Sequence, residues 1–177
     1  MSTAKEEILR CKKDFSYFCR NYLKIVTKTS KLETLTLNSA QREIIKGFSN
    51  NDHVMLLKAR QLGSTTGIAA YFFWQTLFRP YTRENEMKFA TGSSIRVGSA
   101  SSQSFRGGTY NLIHASEYAF WSDMDETIAS LFSTATENAQ IILESTANGM
   151  NDAYDMWSRE NGFNKIFLSW KMDTHYK

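Results

Sequence analysis

The chain has 177 residues, of which 42% are hydrophobic and 14% aromatic, which suffices for one compact domain and excludes a disordered chain. Its net charge of +3 is too small to indicate nucleic-acid binding by itself, although it would not oppose a polyanionic partner. Neither Cys11 nor Cys19 stands at a metal-ligand spacing from a histidine, so no zinc site is indicated and free thiols are expected. No apolar run could cross a membrane and residues 1–7 lack a secretory signal's apolar region, so we expect a cytosolic protein.

The first third of the chain predicts two helices joined by a strand or loop. One helical face carries apolar residues at steps of three and four, namely Ile8, Cys11, Phe15, Phe18 and Tyr22. Residues 25–37 are interpreted as strand or loop. Asn38 then caps a short helix whose inward residues are Ile44, Ile45 and Phe48.

Residues 58–66 are the most informative segment. An apolar run at 54–57 precedes them, and an apolar helix predicted over residues 65–79 follows and ends before Pro80. A buried strand, a turn with a glycine and hydroxyl groups, and a helix N-terminus together favour phosphate, because unpaired amides and the helix dipole both attract an anion. The segment therefore predicts a nucleotide-binding site.

The segment departs from the phosphate-loop pattern G-x-x-x-x-G-K-S/T. Aligned on Gly63 and Thr65, Lys58 stands where the first glycine would be, and Ser64 replaces the usual lysine. A cation near the β and γ phosphates could still come from Lys58 or Arg60, while Thr65 could supply the hydroxyl that ligates magnesium. The alternative is a strand, a turn and a helix in which Ser64 and Thr65 only cap the helix.

The rest of the chain predicts strands that largely alternate with helices. The expected elements are a hairpin of residues 87–91 and 95–99 turning at Gly92-Ser93, strands at 110–115, 141–144 and 165–168, and helices at 123–134 and 151–160. This order favours an α/β sheet whose ligand lies at the carboxyl ends of the strands.

A carboxylate follows the predicted strand 110–115. In nucleotide hydrolases such a strand often ends in carboxylates that assist magnesium and polarise the attacking water, and Glu117 fits the second role. Ser116 occupies the place of the magnesium-linked aspartate, and a neutral hydroxyl holds a metal-bound water less strongly. The alternative is that Glu117 is simply the first charged residue after a buried strand. His114 is interpreted as a hydrogen-bonded core histidine.

A third polar segment, residues 144–149, ends the predicted strand 141–144. Its hydroxyl residues and Asn148-Gly149 place small hydrogen-bonding groups at the same sheet edge, where they could sense the terminal phosphate. Asn148-Gly149 is equally consistent with a plain turn.

Together, residues 58–66, 112–121 and 144–149 resemble the ATPase domain of the phage terminase large subunit, the motor that packages DNA into viral capsids. Residues 37–41 also resemble the segment whose glutamine contacts adenine in that family. The resemblance implies a phosphate-loop (ASCE-type) ATPase of the α/β class, with a mostly parallel central sheet flanked by helices. It implies a single domain over residues 1–177, divided into a lead-in (1–37), a nucleotide-binding core (38–168) and a truncated linker (169–177).

The resemblance also implies roles for particular residues. ATP would be bound by Gln41, Lys58, Arg60, Gln61, Leu62, Gly63, Ser64, Thr65 and Thr66. Thr65 would ligate Mg²⁺, Glu117 would activate water, and Arg60 would stabilise charge developing on the γ phosphate. Ser145, Thr146 and Ala147 would couple hydrolysis to movement, and Arg106 matches a recurrent arginine-glycine just before the acidic strand. The alternatives are surface ion pairs for Lys58 and Arg60 and a capping box with Asn38 for Gln41.

Two features depart from the family. Only residues 80–86 separate the helix at 65–79 from the hairpin, so one strand-helix unit is expected to be missing. The chain also stops where the family continues into a nuclease domain, so nuclease activity is not expected.

The partners that the resemblance implies are double-stranded DNA, the phage portal protein, the terminase small subunit and further copies in a homo-oligomeric ring, in the host cytoplasm and without a membrane. One alternative is a non-hydrolysing nucleotide-binding or assembly module, and another is a degenerate prophage remnant. A third is another nucleic-acid-dependent ATPase such as a helicase, which DNA unwinding would distinguish.

Overall fold

The computed structural model describes residues 3–27, 29–78 and 93–172, and the backbone alone of residues 87–88. The helices are α1 (Ala4–Lys13), α2 (Phe15–Tyr22), α3 (Ser39–Ser49), α4 (Ser64–Phe78), α5 (Met124–Ser133) and α6 (Asp152–Ser158). The strands are β1 (Lys24–Val26), β2 (Leu32–Thr34), β3 (His53–Lys58), β4 (Met87–Lys88), β5 (Ser94–Ile95), β6 (Tyr110–Ser116), β7 (Ala135–Ser145) and β8 (Asn164–Leu168). Short 3₁₀ turns cover Tyr118–Phe120 and Trp170–Met172.

Four parallel strands form the central sheet in the order β6-β7-β3-β8. Leu57 of β3 is paired with Ser145 of β7, and Ser116 of β6 is paired with Glu144 of β7. The last residues of three strands therefore meet at one edge of the sheet. The predicted α/β class, with helices flanking a parallel sheet, is confirmed.

Hydrophobic cores cover both faces of the sheet. Val54 and Leu56 pack with α2, α3 and α4 on one face, whereas the intervening Met55 packs with α5 and α6 on the other. Strands that are buried on both faces read as continuous apolar runs, as residues 54–57 do.

The predicted single N-terminal helix is wrong, because the chain breaks at Asp14. Asp14 is extended (φ −127°), ends α1 and caps α2, accepting a hydrogen bond from the Tyr17 amide at 2.8 Å. This change of direction leaves Ile8 and Tyr22, the outer members of the predicted apolar face, 60% and 52% exposed. The inner members, Cys11, Phe15 and Phe18, are buried as expected.

The remaining elements agree with the sequence expectations apart from their bounds. Asn38 caps α3, with Ile44 and Phe48 buried and Ile45 partly buried. Strands β4 and β5 pair antiparallel, which confirms the hairpin pairing, but β5 ends at Ile95 instead of residue 99. Strand β7 begins at Ala135, six residues before its predicted start at 141.

Several expectations fall on residues outside the description. These are the end of the helix at Arg79-Pro80, the hairpin turn at Gly92 and the missing strand-helix unit at 80–86. Within the described ranges, no helix combines the length and apolar character needed to cross a membrane.

Candidate functional site

The candidate site lies where three segments converge at the carboxyl edge of the sheet. Lys58 is the last residue of β3, and residues 59–63 connect it to the start of α4. Glu117 follows β6 immediately, and Glu144 is the penultimate residue of β7. The parallel register brings all three strand ends together, as expected for ligand sites in α/β sheets.

The β3–α4 loop has a special backbone that α3 supports. Gln61 and Gly63 both adopt left-handed conformations, with φ of 65° and 70°. A Cβ atom on Gly63 would lie 2.9 Å from Gln41 Nε2, so a side chain at that position would meet both strain and a close contact. Asn38 Nδ2 donates to the Leu62 carbonyl at 3.1 Å, and Gln41 Nε2 donates to the Gly63 carbonyl at 2.8 Å. The loop is therefore held by two side-chain amides of one helix N-terminus.

Gln41 uses both ends of its amide within the protein. Its Oε1 accepts from the Asn38 backbone amide at 3.0 Å, which completes the capping box, while its Nε2 holds Gly63. These two hydrogen bonds with Asn38 confirm the capping interpretation of Gln41, whose side chain is buried. Its contact with adenine stays a prediction that the resemblance implies.

Lys58 and Glu117 form an ion pair across the end of the intervening strand β7. Lys58 Nζ lies 2.7 Å from Glu117 Oε1 and 3.3 Å from Glu144 Oε1. The ion pair that the alternative expected for Lys58 is therefore present, but Lys58 itself is buried and does not lie at the surface. Glu117 has left-handed backbone (φ 53°), and its Oε2 accepts from the Thr146 amide at 3.2 Å and from the Thr146 hydroxyl at 3.3 Å. Two separate segments therefore hold the Glu117 carboxylate.

Partial burial alone would raise the pKa of Glu117, but the hydrogen bonds from Lys58 and the Thr146 amide outweigh it and hold the pKa below its ordinary value. The charge of Lys58 adds to this effect, while the nearby charge of Glu144 opposes it. Glu117 is therefore ionised at neutral pH.

Glu144 is the member of this cluster to which the sequence analysis assigns no role. It is 0% exposed, and its Oε1 accepts from Ser64 Oγ at 2.6 Å and from Thr65 Oγ1 at 3.0 Å. Its Oε2 lies 2.8 Å from His114 Nε2 and accepts from Ser116 Oγ at 3.5 Å. A carboxylate preceded by apolar residues in a buried strand was the available signal, because such a group must be paired.

The surroundings of Glu144 keep it charged despite its burial. Burial alone would raise its pKa, but hydrogen bonds from His114 and Ser64, together with the charge of Lys58, lower the pKa to about 2. His114 is hydrogen-bonded within the protein, as the sequence interpretation had it. Because the hydroxyls of Ser64 and Thr65 both donate to Glu144, the alternative that they only cap α4 is wrong.

The other predicted site residues have different surroundings. Arg60 is exposed and pairs with no carboxylate in the described ranges, so the ion-pair alternative for Arg60 is not observed there. Gln61 and Thr66 are exposed beside it, whereas Leu62 is buried and anchors the loop. Arg106 contacts Ser102 and Glu126 instead of this cluster.

The segment after β7 contacts Glu117 and the 3₁₀ turn that follows it. Thr146 binds Glu117, and Ser145 Oγ accepts from the Ala119 amide at 3.2 Å. Asn148 Nδ2 donates to the Ala119 carbonyl at 2.8 Å, so this asparagine does more than form a turn. Ala147 is exposed between them. A movement of Glu117 would therefore act directly on Thr146, while Ser145 and Asn148 contact the 3₁₀ turn that follows Glu117.

No known protein-family model matches this chain. The chemistry of the site must therefore be inferred from its own residues.

Proposed function

We propose that this chain is an ATP-binding and ATP-hydrolysing domain of the terminase large-subunit type, part of a viral DNA-packaging motor. The observation that carries the proposal is the pairing of Lys58 with Glu117 between the β3–α4 loop and the end of β6. From the sequence, we expect Lys58 to bind phosphate and Glu117 to activate water in the same reaction. They lie in contact at the sheet edge where such a reaction would occur.

The spacing of the strands suits a terminal phosphate. Strand β7 lies between β3 and β6, so the ends of these strands are two strand spacings apart, about 9–10 Å. That distance leaves room for a phosphoryl group and a water molecule between the loop and Glu117. Lys58 reaches across this space, and a phosphate oxygen would take the position that the Glu117 carboxylate now occupies beside the ammonium group.

The start of α4 supplies further groups for phosphate. The first amides of a helix have no partner within the helix, and its dipole favours negative charge at this end. Residues 61 and 63 turn the chain with left-handed backbone immediately before these amides. A helix of 15 residues that starts beside a buried lysine is a suitable receptor for a polyphosphate.

The reaction would be in-line displacement at the γ phosphorus of ATP. The water oxygen forms a bond to phosphorus while the bond to the bridging oxygen of ADP breaks, giving ADP and inorganic phosphate. Glu117 would orient the water by accepting one of its hydrogens, and the proton released passes through this carboxylate to solvent or to phosphate. Thr146 would keep Glu117 in place once Lys58 has moved to the phosphate.

Magnesium, when bound, neutralises charge on the phosphate oxygens. Thr65 would hold it, since this hydroxyl stands on the exposed first turn of α4 beside the ionised Glu144. No cluster of three or more His, Cys, Asp or Glu side chains in the described ranges forms a metal-binding group. Mg²⁺ commonly uses one or two protein ligands with water and phosphate oxygens, so this donor set fits that ion.

The packaging role is supported by the convergence of the three segments that carry the terminase resemblance. Residues 58–66, 112–121 and 144–149 are distant in sequence but supply Lys58, Glu117 and Glu144 to one cluster. Double-stranded DNA, the portal protein, the terminase small subunit and other copies in a ring are the partners that this role requires. The corresponding location is the host cytoplasm.

Phosphate release from ATP, measured with and without Mg²⁺ and double-stranded DNA, tests the proposal. We expect Mg²⁺-dependent turnover that Glu117→Gln lowers by at least about 100-fold, the usual contribution of a general base. Glu126→Gln is the matched control, because Glu126 is an exposed glutamate whose carboxylate lies at the long distance of 3.9 Å from Arg106. Absence of turnover in the unmodified chain would overturn the hydrolytic role.

The contact of Lys58 with Glu117 also favours a second candidate, a nucleotide-binding module without turnover. In such a module Lys58 and Glu117 would stay paired while the phosphates are bound, so Glu117 would not be available to orient a water molecule. The Ser116 hydroxyl would also bring no negative charge toward a metal ion. Saturable ATP binding without phosphate release would support this candidate.

A further inference from the structure

We propose that Glu144 is a positioning residue for the magnesium ligand Thr65. Its carboxylate accepts the hydroxyl hydrogen of Thr65 and thereby directs the oxygen lone pairs of Thr65 toward the bound cation. The inference rests on the proposed function, because that function makes Thr65 the ligand of Mg²⁺. It adds a role for Glu144, to which the terminase resemblance assigns none.

The geometry of the hydroxyl supports this assignment. Thr65 Oγ1 lies 3.0 Å from Glu144 Oε1 and 3.2 Å from Glu144 Oε2, so its hydrogen is directed at the carboxylate as a whole. A hydroxyl has one hydrogen and two lone pairs. When the hydrogen points to Glu144, the lone pairs face away from the protein interior, since Glu144 is 0% exposed and Thr65 is exposed.

Glu144 is itself fixed from both sides. Ser64 Oγ donates to Oε1 at 2.6 Å, while His114 Nε2 lies 2.8 Å from Oε2 and Lys58 Nζ lies 3.3 Å from Oε1. An ionised carboxylate only accepts hydrogen bonds, so it has no hydrogen with which to reverse the direction of the bond to Thr65. The orientation of the Thr65 hydroxyl therefore follows from the charge of Glu144.

The sheet register explains why this carboxylate can act beside a serine. Ser116 and Glu144 are paired residues on the neighbouring strands β6 and β7, and Ser116 Oγ is 3.5 Å from Glu144 Oε2. A hydroxyl at position 116 carries no charge and could point its hydrogen either way. The negative charge beside Thr65 is thus supplied by Glu144 of β7, because its paired residue on β6 is the uncharged Ser116.

The test measures how much Mg²⁺ strengthens nucleotide binding, with no need for turnover. A fluorescent ATP analogue is titrated into the protein in EDTA and in Mg²⁺. The dissociation constant in EDTA divided by the dissociation constant in Mg²⁺ reports how much the metal strengthens binding. Substitution of a residue that orients a metal ligand usually costs 10–100-fold in metal affinity. We expect Glu144→Gln to lower this ratio at least about tenfold, because glutamine replaces an acceptor oxygen by a donor group.

A double-mutant cycle separates positioning from general disruption. Thr65→Val removes the hydroxyl at nearly constant volume and should also lower the ratio. If Glu144 acts through Thr65, adding Glu144→Gln to Thr65→Val should lower the ratio no further. Equal effects in the presence and absence of the Thr65 hydroxyl would overturn the proposal.

Two further variants keep the test decisive if Glu144→Gln folds poorly. Glu144→Asp keeps the negative charge but draws the carboxylate back from Thr65, so the ratio should fall while binding in EDTA is retained. Ser116→Asp, added to Glu144→Gln, returns a carboxylate to the paired position and should restore the ratio. Glu126→Gln is the control that should leave the ratio unchanged.

The outcomes distinguish this inference from the proposed function. A ratio unchanged in both Glu144→Gln and Glu144→Asp would overturn the positioning role while leaving ATP binding intact. Absence of saturable nucleotide binding by the unmodified chain in either condition would overturn both.

Discussion

The Lys58 ammonium group lies 2.7 Å from the Glu117 carboxylate, although 59 residues separate them in the chain. In the proposed function one group would bind a phosphate and the other would orient a water, yet in this structure each is the other's partner. A phosphate that draws Lys58 away from Glu117 would remove a hydrogen bond that lowers the Glu117 pKa, so nucleotide binding would make the carboxylate a stronger base.

This relationship predicts that Glu117→Gln separates binding from hydrolysis. Because the variant lacks the negative charge that competes for Lys58, we expect it to bind ATP as tightly as the unmodified chain or several-fold more tightly. Equilibrium titration with a fluorescent ATP analogue, beside the phosphate-release assay, measures both effects. Weaker binding by Glu117→Gln, by tenfold or more, would contradict competition between Glu117 and phosphate.

Lys58→Met should destabilise the fold. The substitution removes the ammonium group 3.3 Å from Glu144 and takes the lysine charge away from a fully buried carboxylate. Breaking a buried pair in this way costs about 3–5 kcal/mol in free energy of unfolding. Urea denaturation measures the loss, and adding Glu144→Gln to Lys58→Met should recover part of it.

Lys165→Met is the matched control for that experiment, because Lys165 is exposed, donates to the Arg159 carbonyl and pairs with no carboxylate in the described part of the chain. We expect it to change the free energy of unfolding by no more than about 0.5 kcal/mol, as for most surface substitutions. A loss of less than about 1 kcal/mol in Lys58→Met would show that the ion pair is not needed to hold Glu144.

The pKa of Glu144 predicts a specific loss of stability in acid. It is lowered in the folded protein from an ordinary 4.5 to about 2, so the folded state favours the ionised form. The stabilisation is present above about pH 4.5 and is lost as the pH falls toward 2, with a total on the order of 3 kcal/mol. Urea unfolding at pH 6 and pH 3 should show a steeper fall for the unmodified chain than for Glu144→Gln. Parallel falls would contradict the assignment.

Gly63→Ala should damage the β3–α4 loop more than Gly149→Ala damages its turn. Both glycines have left-handed φ, 70° and 73°, which costs an alanine about 1–2 kcal/mol. Only Gly63 adds a close contact, 2.9 Å from Gln41 Nε2, whereas a Cβ atom at Gly149 meets nothing within 4 Å. We therefore expect Gly63→Ala to lose more stability in urea and to weaken binding of the ATP analogue. Equal losses in the two variants would contradict the supporting role of Gln41.

The sequence predicted the location of Lys58 and Glu117 well because each follows an apolar run. Parallel strands bring their carboxyl ends to one edge, so two strand-end charges distant in sequence could be expected to meet. The helix cap at Asn38 was similarly local, since the capping box involves residues only three apart.

Glu144 was not predicted as a site residue because its partners are scattered. Ser64 is 80 residues away and His114 is 30 residues away, so no local pattern joins them. Only the order of strands in the sheet places β7 between the other two, and that order is a long-range property of the fold. The break at Asp14 was not predicted for a local reason. Two helices that adjoin without a loop continue one apolar periodicity, and only the capping aspartate marks the boundary.

Competition for a fluorescent ATP analogue in Mg²⁺ tests the central claim, that this sheet edge recognises a triphosphate. We predict saturable binding that ATP displaces far more effectively than AMP or adenosine, because in the proposed function Lys58 and the start of α4 would contact the phosphates. Lys58→Gln should weaken the binding by tenfold or more. Equal displacement by adenosine and ATP, or no saturable binding at all, would contradict a phosphate-binding role for Lys58 and the β3–α4 loop.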